Sequence, residues 1–221
     1  MNILAVDTSS QYGSVTVCAD GKPLGEVRLS SSVQYSDRLF RSIDFLFSQV
    51  DLELDNIDVF AAARGPGSFT GIRVGLAAMQ GFAAAHEKRA VGVCTLAALA
   101  WRTGTMEGAI SPVLDARREE AFCALYERQE ETLIELRKPV IATPERWLST
   151  LVAKRILFCG NVVSQNQLPN ERLGSWKISS VKPYLATAVA EMVEASHEED
   201  LVPLYVRKAD AEVKRLEGNA H

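Results

Sequence analysis

Hydrophobic and polar residues along the first half of the chain alternate between strand and helix patterns. The run ILAVDTS is short and continuously apolar, typical of a strand buried on both faces, whereas GSVTVCAD and LGEVRLS flank the turn DGKP. A helix is predicted from an N-cap at Ser36 or Asp37 to about Val50. The strand IDVFAAARG, a helix from Phe69 to Ala85, the strand RAVGVCTL and a helix from Thr95 to Arg102 complete this half.

The second half repeats this order with a weaker pattern. The strands AISPVLDAR, EAFCALYER and TLIELRKPV precede the helix TPERWLSTLVA, with Thr143 as N-cap and Pro144 as first helical residue. The strand KRILFCGN, a helix in KPYLATAVAEMVEASH and a strand-like segment at LVPLYVR with a charged tail follow. Two halves of β-β-β-α-β-α order predict an α/β fold of duplicated actin-like (ribonuclease H-like) lobes, at residues 1–104 and 105–221.

The predicted helix from Ser36 has one apolar face and one aromatic residue that lies outside it. Steps of about 100° per residue place six apolar side chains on the core-facing stripe, namely Leu39, Phe40, Ile43, Leu46, Phe47 and Val50. Phe45 falls on the opposite side, among charged residues that include Arg38 and Arg41. Such an aromatic is either an anchor for a partner protein or an isolated exposed side chain.

The helix from Phe69 to Ala85 is apolar nearly all round, which indicates burial on two sides. One arc of mostly large side chains, Phe69, Ile72, Leu76, Met79 and Ala83, is expected to pack on the sheet. The other arc consists of small residues that would let a second helix approach closely, namely Gly71, Val74, Gly75, Ala78, Gly81 and Ala85. Glycine inside a helix costs roughly 1 kcal/mol relative to alanine, so close packing is expected to compensate.

These two helices are therefore the predicted partner interface, although an internal helix pair would explain the same pattern. The predicted interface residues are Arg38, Arg41, Phe45, Gly71, Val74, Gly75, Ala78 and Phe82. On this interpretation, Gly75→Leu should block pairing with a partner and leave the fold intact.

Two segments invite a phosphate-binding interpretation. Asp7, Thr8 and Ser9 follow the first strand, where actin-like ATPases place an Asp and small hydroxyl residues near phosphate and magnesium. The glycine of their D-x-G-[ST] pattern is absent, and a hairpin turn is the alternative. The segment from Gly65 to Gly71 fits neither G-x-x-x-x-G-K-[ST] nor G-x-G-x-x-G, and Ser68 as helix N-cap explains it more simply.

The net charge and the spacing of cysteines and histidines argue against several classes of function. The net charge is −4 with a pI near 5.5, which argues against tight nucleic-acid binding by this chain alone. The four cysteines form no C-x-x-C pair and the three histidines form no H-x-x-x-H motif, so no metal site is predicted. The N-terminus lacks a basic segment and no apolar run approaches about 20 residues, so we expect a soluble cytoplasmic protein without membrane contact.

Several segments, in the same order and over nearly the full length, resemble the bacterial TsaB (YeaZ) family. They are NILAVDTSS, GPGSFTGIRVGLAAMQGFA, GVCTLAALA, DAR at Asp115 and PLYVRKADAE. The resemblance implies an actin-like (ASKHA) fold of two lobes. It also implies a non-catalytic partner of TsaD, acting with TsaE to form N6-threonylcarbamoyladenosine at position 37 of ANN-decoding tRNAs.

The same resemblance assigns the first two helices to pairing with TsaD, or with a second copy when the chain is alone. This chain would then meet tRNA only through the complex and bind no cofactor tightly by itself, with ATP or ADP at the complex interface. Many family members carry His-[ST] where this chain has Tyr35-Ser36. The alternatives from other classes are a stand-alone ATP-dependent kinase of the same fold and a zinc peptidase.

Overall fold

The computed structural model describes residues 1–30, 35–104, 108–130, 132–172, 174–195 and 201–206. Within these ranges the strands are β1 (Asn2–Asp7), β2 (Tyr12–Ala19), β3 (Lys22–Ser30), β4 (Val59–Gly65), β5 (Arg89–Cys94), β6 (Ala109–Arg117), β7 (Glu120–Gln129), β8 (Thr132–Ala142), β9 (Ile156–Gly160) and β10 (Trp176–Ile178). The α-helices are α1 (Ser36–Phe47), α2 (Phe69–Ala85), α3 (Thr95–Arg102), α4 (Pro144–Ser149) and α5 (Ala186–Ala195). None of the helices in these ranges is long and apolar enough to cross a membrane.

Each half of the chain forms a five-stranded mixed sheet with the same strand order. The first sheet runs β3-β2-β1-β4-β5 and the second β8-β7-β6-β9-β10. In both sheets the first three strands are antiparallel neighbours, and the last two run parallel to the first. Counted from its own first strand, each half has the order 3-2-1-4-5. The predicted duplicated α/β architecture is therefore confirmed.

Helices and sheets stack in five layers around three hydrophobic cores. Helices α1 and α2 cover the outer face of the first sheet, α3 and α5 lie between the two sheets, and α4 covers the outer face of the second. Strand β1 serves two of these cores, because Leu4 and Val6 face α1 and α2 whereas Ile3 and Ala5 face the centre. This is the burial on both faces that its continuous apolar sequence predicts.

Helix α5 belongs to the second half of the chain but packs against the first sheet, on β1, β2 and β4. Its first backbone amide, at Ala186, donates a 2.9 Å hydrogen bond to the Ser14 hydroxyl in β2. This crossing makes the central core common to both halves, and the lobe boundary between residues 104 and 105 stays a prediction.

Two local expectations were wrong. The N-cap of α1 is Tyr35, not Ser36 or Asp37, and no side chain caps the helix. Instead, the Tyr35 ring packs on Gly13 and its hydroxyl donates to Ser10 O, so a tertiary contact fixes the beginning of the helix. The strand-like segment near the C-terminus, Leu201–Val206 (the C-terminal strap), forms no strand and is held by isolated contacts with β4 and α2. The charged tail after it lies outside the described residues.

Candidate protein-interaction surface and the adjoining β1 turn

The turn after β1 contains the three residues predicted to lie near a phosphate. Asp7, Thr8 and Ser9 are all buried, and several of their polar atoms form hydrogen bonds within the fold. The Asp7 Oδ1 atom accepts a 2.9 Å hydrogen bond from the Ser9 amide, and Thr8 Oγ1 donates to Gly71 O over 2.7 Å. Ser9 O accepts a 2.7 Å bond from the Ser68 amide. The turn therefore attaches the end of β1 to the beginning of α2, whereas a phosphate role for its residues stays a prediction.

The carboxyl group of Asp7 titrates inside the protein. Its complete burial raises its pKa to about 6, although the Ser9 hydroxyl and amide beside it act in the opposite direction. Ser9 Oγ lies close to the carboxyl without a well-aligned hydrogen bond, and Asp7 Oδ2 has no hydrogen-bond partner among the described residues. Asp7 is consequently a buried group that gains a proton just below neutral pH.

Glycines in and before α2 allow the helix to contact this turn directly. A Cβ atom added at Gly67 would lie 2.4 Å from Ser9 O, and one at Gly71 would lie 2.0 Å from Thr8 O. At Gly75 it would lie 2.5 Å from Thr8 Oγ1. Ser68 is the N-cap of α2 as predicted, because its hydroxyl accepts a 3.3 Å hydrogen bond from the Gly71 amide. Close approach to the turn backbone thus explains Gly67 and Gly71, and contact with the Thr8 side chain explains Gly75.

The predicted partner face of α2 needs correction. Gly71, Gly75 and Ala78 are buried against the first sheet and its turn, so they do not form an exposed face. Val74 and Phe82 are half-buried, and Phe82 lies on the side of α2 that borders α1. The expectation that Gly75→Leu would leave the fold intact is wrong as well, because the new side chain would overlap Thr8.

Gly81 and Ala85 of the predicted small arc are exposed. Gly81 also belongs to an exposed stripe of small residues that is centred about a quarter turn from that arc. Its members are Thr70, Ala77, Gly81 and Ala84. A Cβ atom at Gly81 would meet nothing within 4 Å. The predicted large arc is confirmed on the inner side for Ile72, Leu76, Met79 and Ala83, but Phe69 is 42% exposed.

Helix α1, which covers the same face of the first sheet as α2, adds two exposed aromatic side chains. Phe45 is 58% exposed, as the sequence predicts, and Arg38 and Arg41 are exposed near it on the same helix. Phe40 was expected in the core but is 47% exposed, and its ring centroid lies 6.1 Å from that of Phe82 in α2. It lies at the edge of the α1 core stripe, where the neighbour is another helix and not the sheet. The sequence shows this edge position but not the placement of the neighbouring helix, which decides whether Phe40 is exposed.

We call these exposed residues the α1–α2 surface. It comprises Arg38, Phe40, Arg41 and Phe45 of α1 and Thr70, Ala77, Gly81 and Ala84 of α2, together with the half-buried Val74 and Phe82 of α2. A floor of small side chains beside exposed phenylalanines can accept a helix from another protein in close contact.

Other candidate chemistry is accounted for by packing. Cys18, Cys123 and Cys159 are buried thiols, and burial raises the pKa of Cys18 to about 11 and that of Cys123 to about 12. His86 pairs with Asp55 over 2.7 Å and stacks on Phe60. His197 and His221 lie outside the described residues. No group of three His, Cys, Asp or Glu side chains in the described part of the chain is arranged to hold a metal ion.

Comparison with known proteins places the chain in a family. It is 27% identical to the tRNA threonylcarbamoyladenosine biosynthesis protein TsaB of Bacillus subtilis, over 98% of this chain and 99% of that protein. It is 33% identical to the TsaB protein of Escherichia coli over 59% of this chain and 57% of that one. A family model described as TsaD, tRNA N6-adenosine threonylcarbamoyltransferase, matches residues 29–214. The chain belongs to the TsaB (YeaZ) family.

Structural similarity supports the fold. The solved structure of YeaZ from Pseudomonas aeruginosa superposes with a TM-score of 0.77 and covers 92% of this chain and 99% of that one, at 24% identity. The fold is accordingly the actin-like (ASKHA) fold of TsaB proteins, as its duplicated sheets indicate. Sequence similarity to TsaB proteins does not by itself locate the α1–α2 surface or the buried β1 turn of this chain.

Proposed function

We propose that this chain is a non-catalytic subunit that binds TsaD and, with TsaE, supports formation of N6-threonylcarbamoyladenosine at position 37 of ANN-decoding tRNAs in the cytoplasm. The observation that carries the proposal is the exposed α1–α2 surface on a chain of the TsaB family. The similar proteins of Bacillus subtilis and Escherichia coli are named as biosynthesis proteins for this modified nucleoside, and the matching family model is named for the threonylcarbamoyltransferase.

The shape and chemistry of the surface support a docking role. Phe40 and Phe45 each leave about half of their side chains in water, and burying the remainder of each would contribute about 1 kcal/mol. The exposed stripe of α2 lies beside them and has no side chain longer than threonine at Thr70, Ala77, Gly81 and Ala84. A partner helix could therefore approach the α2 backbone closely while its neighbours bury the phenylalanines.

The β1 turn supports a structural role for the residues that could otherwise bind phosphate. The Thr8 hydroxyl is committed to Gly71 O, and the Ser9 amide and carbonyl are committed to Asp7 and Ser68. We therefore propose that nucleotide, where ATP or ADP takes part, binds at the boundary with TsaD and not tightly to this chain alone. In the absence of TsaD, the same α1–α2 surface would pair two copies of the chain.

Reconstitution of tRNA modification tests the proposal. Purified TsaD and TsaE are supplied with tRNA and the threonylcarbamoyl donor, with and without this chain, and the modified nucleoside is quantified. We expect modification to require the chain and to drop with Phe45→Asp, which places a charge in the docking surface. Val152→Asp is the matched control, because Val152 is 87% exposed in the second half of the chain. Equal modification without the chain would refute the proposal, and ATP turnover by the isolated chain would favour a stand-alone kinase.

A further inference from the structure

An exposed cluster of one arginine and two aromatic rings lies at the N-terminal end of α2. The Arg73 guanidinium carbon is 3.9 Å from the centre of the Phe69 ring, and its Nε donates a 3.0 Å hydrogen bond to the Tyr205 hydroxyl. The Phe69 and Tyr205 rings have centroids 5.4 Å apart, and Tyr205 is 45% exposed. We call Phe69, Arg73 and Tyr205 the arginine–aromatic cluster.

The C-terminal strap holds Tyr205 in place. Leu201 is buried in the core beneath α1 and α2, and its carbonyl accepts a 2.8 Å hydrogen bond from Gln80 Nε2. The Leu204 amide donates to Arg64 O over 2.8 Å, and Leu204 O fills the space in which a Cβ atom at Gly65 would lie. Val206, on the other side of Tyr205, packs against the central core. The aromatic wall beside Arg73 is therefore anchored on both sides of Tyr205, although the strap has no regular secondary structure.

The guanidinium of Arg73 is oriented before any ligand arrives. One face of the guanidinium stacks on the Phe69 ring, and its Nε donates to the Tyr205 hydroxyl. The two terminal nitrogens of the guanidinium remain available for a ligand. No carboxylate among the described residues forms an ion pair with Arg73. An arginine fixed in this way loses little side-chain entropy when it binds a carboxylate through two parallel hydrogen bonds.

The cluster continues the α1–α2 surface. Arg73 lies four residues before Ala77, so the two side chains neighbour each other on the exposed side of the helix. A helix that docks on the small-residue stripe would therefore meet the cluster at one end of the stripe and the phenylalanines of α1 along its side.

The charges of this surface favour a partner with a different sequence over a second copy. Helix α2 contains no carboxylate that a second copy could offer to Arg73, and the exposed carboxylates of α1, Asp37 and Asp44, each lie within one turn of Arg41 on their own helix. We propose that the arginine–aromatic cluster is a second anchor of the docking surface and binds a carboxylate flanked by apolar side chains on a heterologous protein partner. The identity of that partner as TsaD rests on the proposed function.

Substitution of Arg73 by methionine tests this anchor. Arg73→Met keeps an unbranched apolar side chain over Phe69 and removes the charge, and Arg89→Met is the control at an exposed arginine of β5. Calorimetric titration with TsaD should show binding weakened at least about tenfold by Arg73→Met and unchanged by Arg89→Met. Added salt should weaken the wild-type complex more than the Arg73→Met complex, because only the former has the ion pair.

Three other results would contradict the anchor, the proposed function or the heterologous partner, respectively. Equal affinities of the Arg73→Met and Arg89→Met variants for TsaD would overturn the anchor and leave the proposed function standing. No binding of TsaD by the wild-type chain would overturn the proposed function and the anchor with it. If sedimentation shows that Arg73→Met weakens self-association but not TsaD binding, the cluster serves a second copy of the chain and the heterologous assignment is wrong.

Discussion

Replacing Gly71 by alanine should destabilise the protein, although alanine is the better helix former. The new methyl group would lie 2.0 Å from Thr8 O, so α2 and the β1 turn would have to separate by roughly 1.4 Å to reach van der Waals contact. Overpacking of this kind costs up to about 3 kcal/mol, and loss of the Thr8–Gly71 hydrogen bond costs about 1 kcal/mol more. Alanine returns about 1 kcal/mol through helix propensity, so the net loss is about 3 kcal/mol.

The same substitution at Gly81 is the matched control. A methyl group there meets nothing within 4 Å, so Gly81→Ala should stabilise α2 by about 1 kcal/mol. For a chain of this length, thermal unfolding should show the Gly71→Ala midpoint lowered by about 6–12 °C and the Gly81→Ala midpoint raised by about 2–4 °C. Equal effects of the two substitutions would refute the assignment of Gly71 to the close contact with the β1 turn.

Three further perturbations follow from the same contacts. Burial raises the pKa of Asp7 from 3.8 to about 6, so the folded state binds the proton more tightly than the unfolded state. The protein therefore loses stability as the pH rises from about 4 through about 6. Because Asn stays neutral, Asp7→Asn should stabilise the protein by up to about 3 kcal/mol at pH 7.5. Urea unfolding at low and neutral pH measures this, and an Asp7→Asn advantage that is independent of pH would contradict it. Ser68→Ala should lower the unfolding free energy by about 1 kcal/mol through loss of the α2 cap, an expectation that an unchanged urea midpoint would rule out. The buried Cys18, Cys123 and Cys159 have raised pKa values and should react with an aromatic disulfide at pH 8 only after urea unfolding, so rapid labelling of the native protein would show that their burial is incorrect.

The sequence predicted the periodic elements well and the orientation of α2 poorly. The bounds of α2, its Ser68 cap and the repeated strand order follow from local chemistry and from patterns of period 2 and 3.6. Which small residues of α2 face solvent depends on Thr8, which lies 63 residues before Gly71 in the chain. A glycine that accommodates another helix and one that accommodates a strand turn produce the same sequence pattern.

The aromatic residues of the candidate surface show the same limit. Phe45 was predictable because it lies opposite the apolar stripe of α1. Phe40 was not, because a side chain at the edge of a stripe is buried or exposed according to how the neighbouring helix is placed. The arginine–aromatic cluster depends on the C-terminal strap, which reaches Arg73 from 132 residues away and has no periodic pattern to predict its position.

The affinity of a Gly81→Leu variant for TsaD tests the central claim most directly. A leucine at this exposed position has free space within the chain but would obstruct a helix docked on the small-residue stripe. We expect a thermal midpoint no lower than that of the wild type and TsaD binding weakened by at least about a hundredfold, equivalent to about 3 kcal/mol. Wild-type affinity of the folded Gly81→Leu protein for TsaD would show that the α1–α2 surface does not bind this partner.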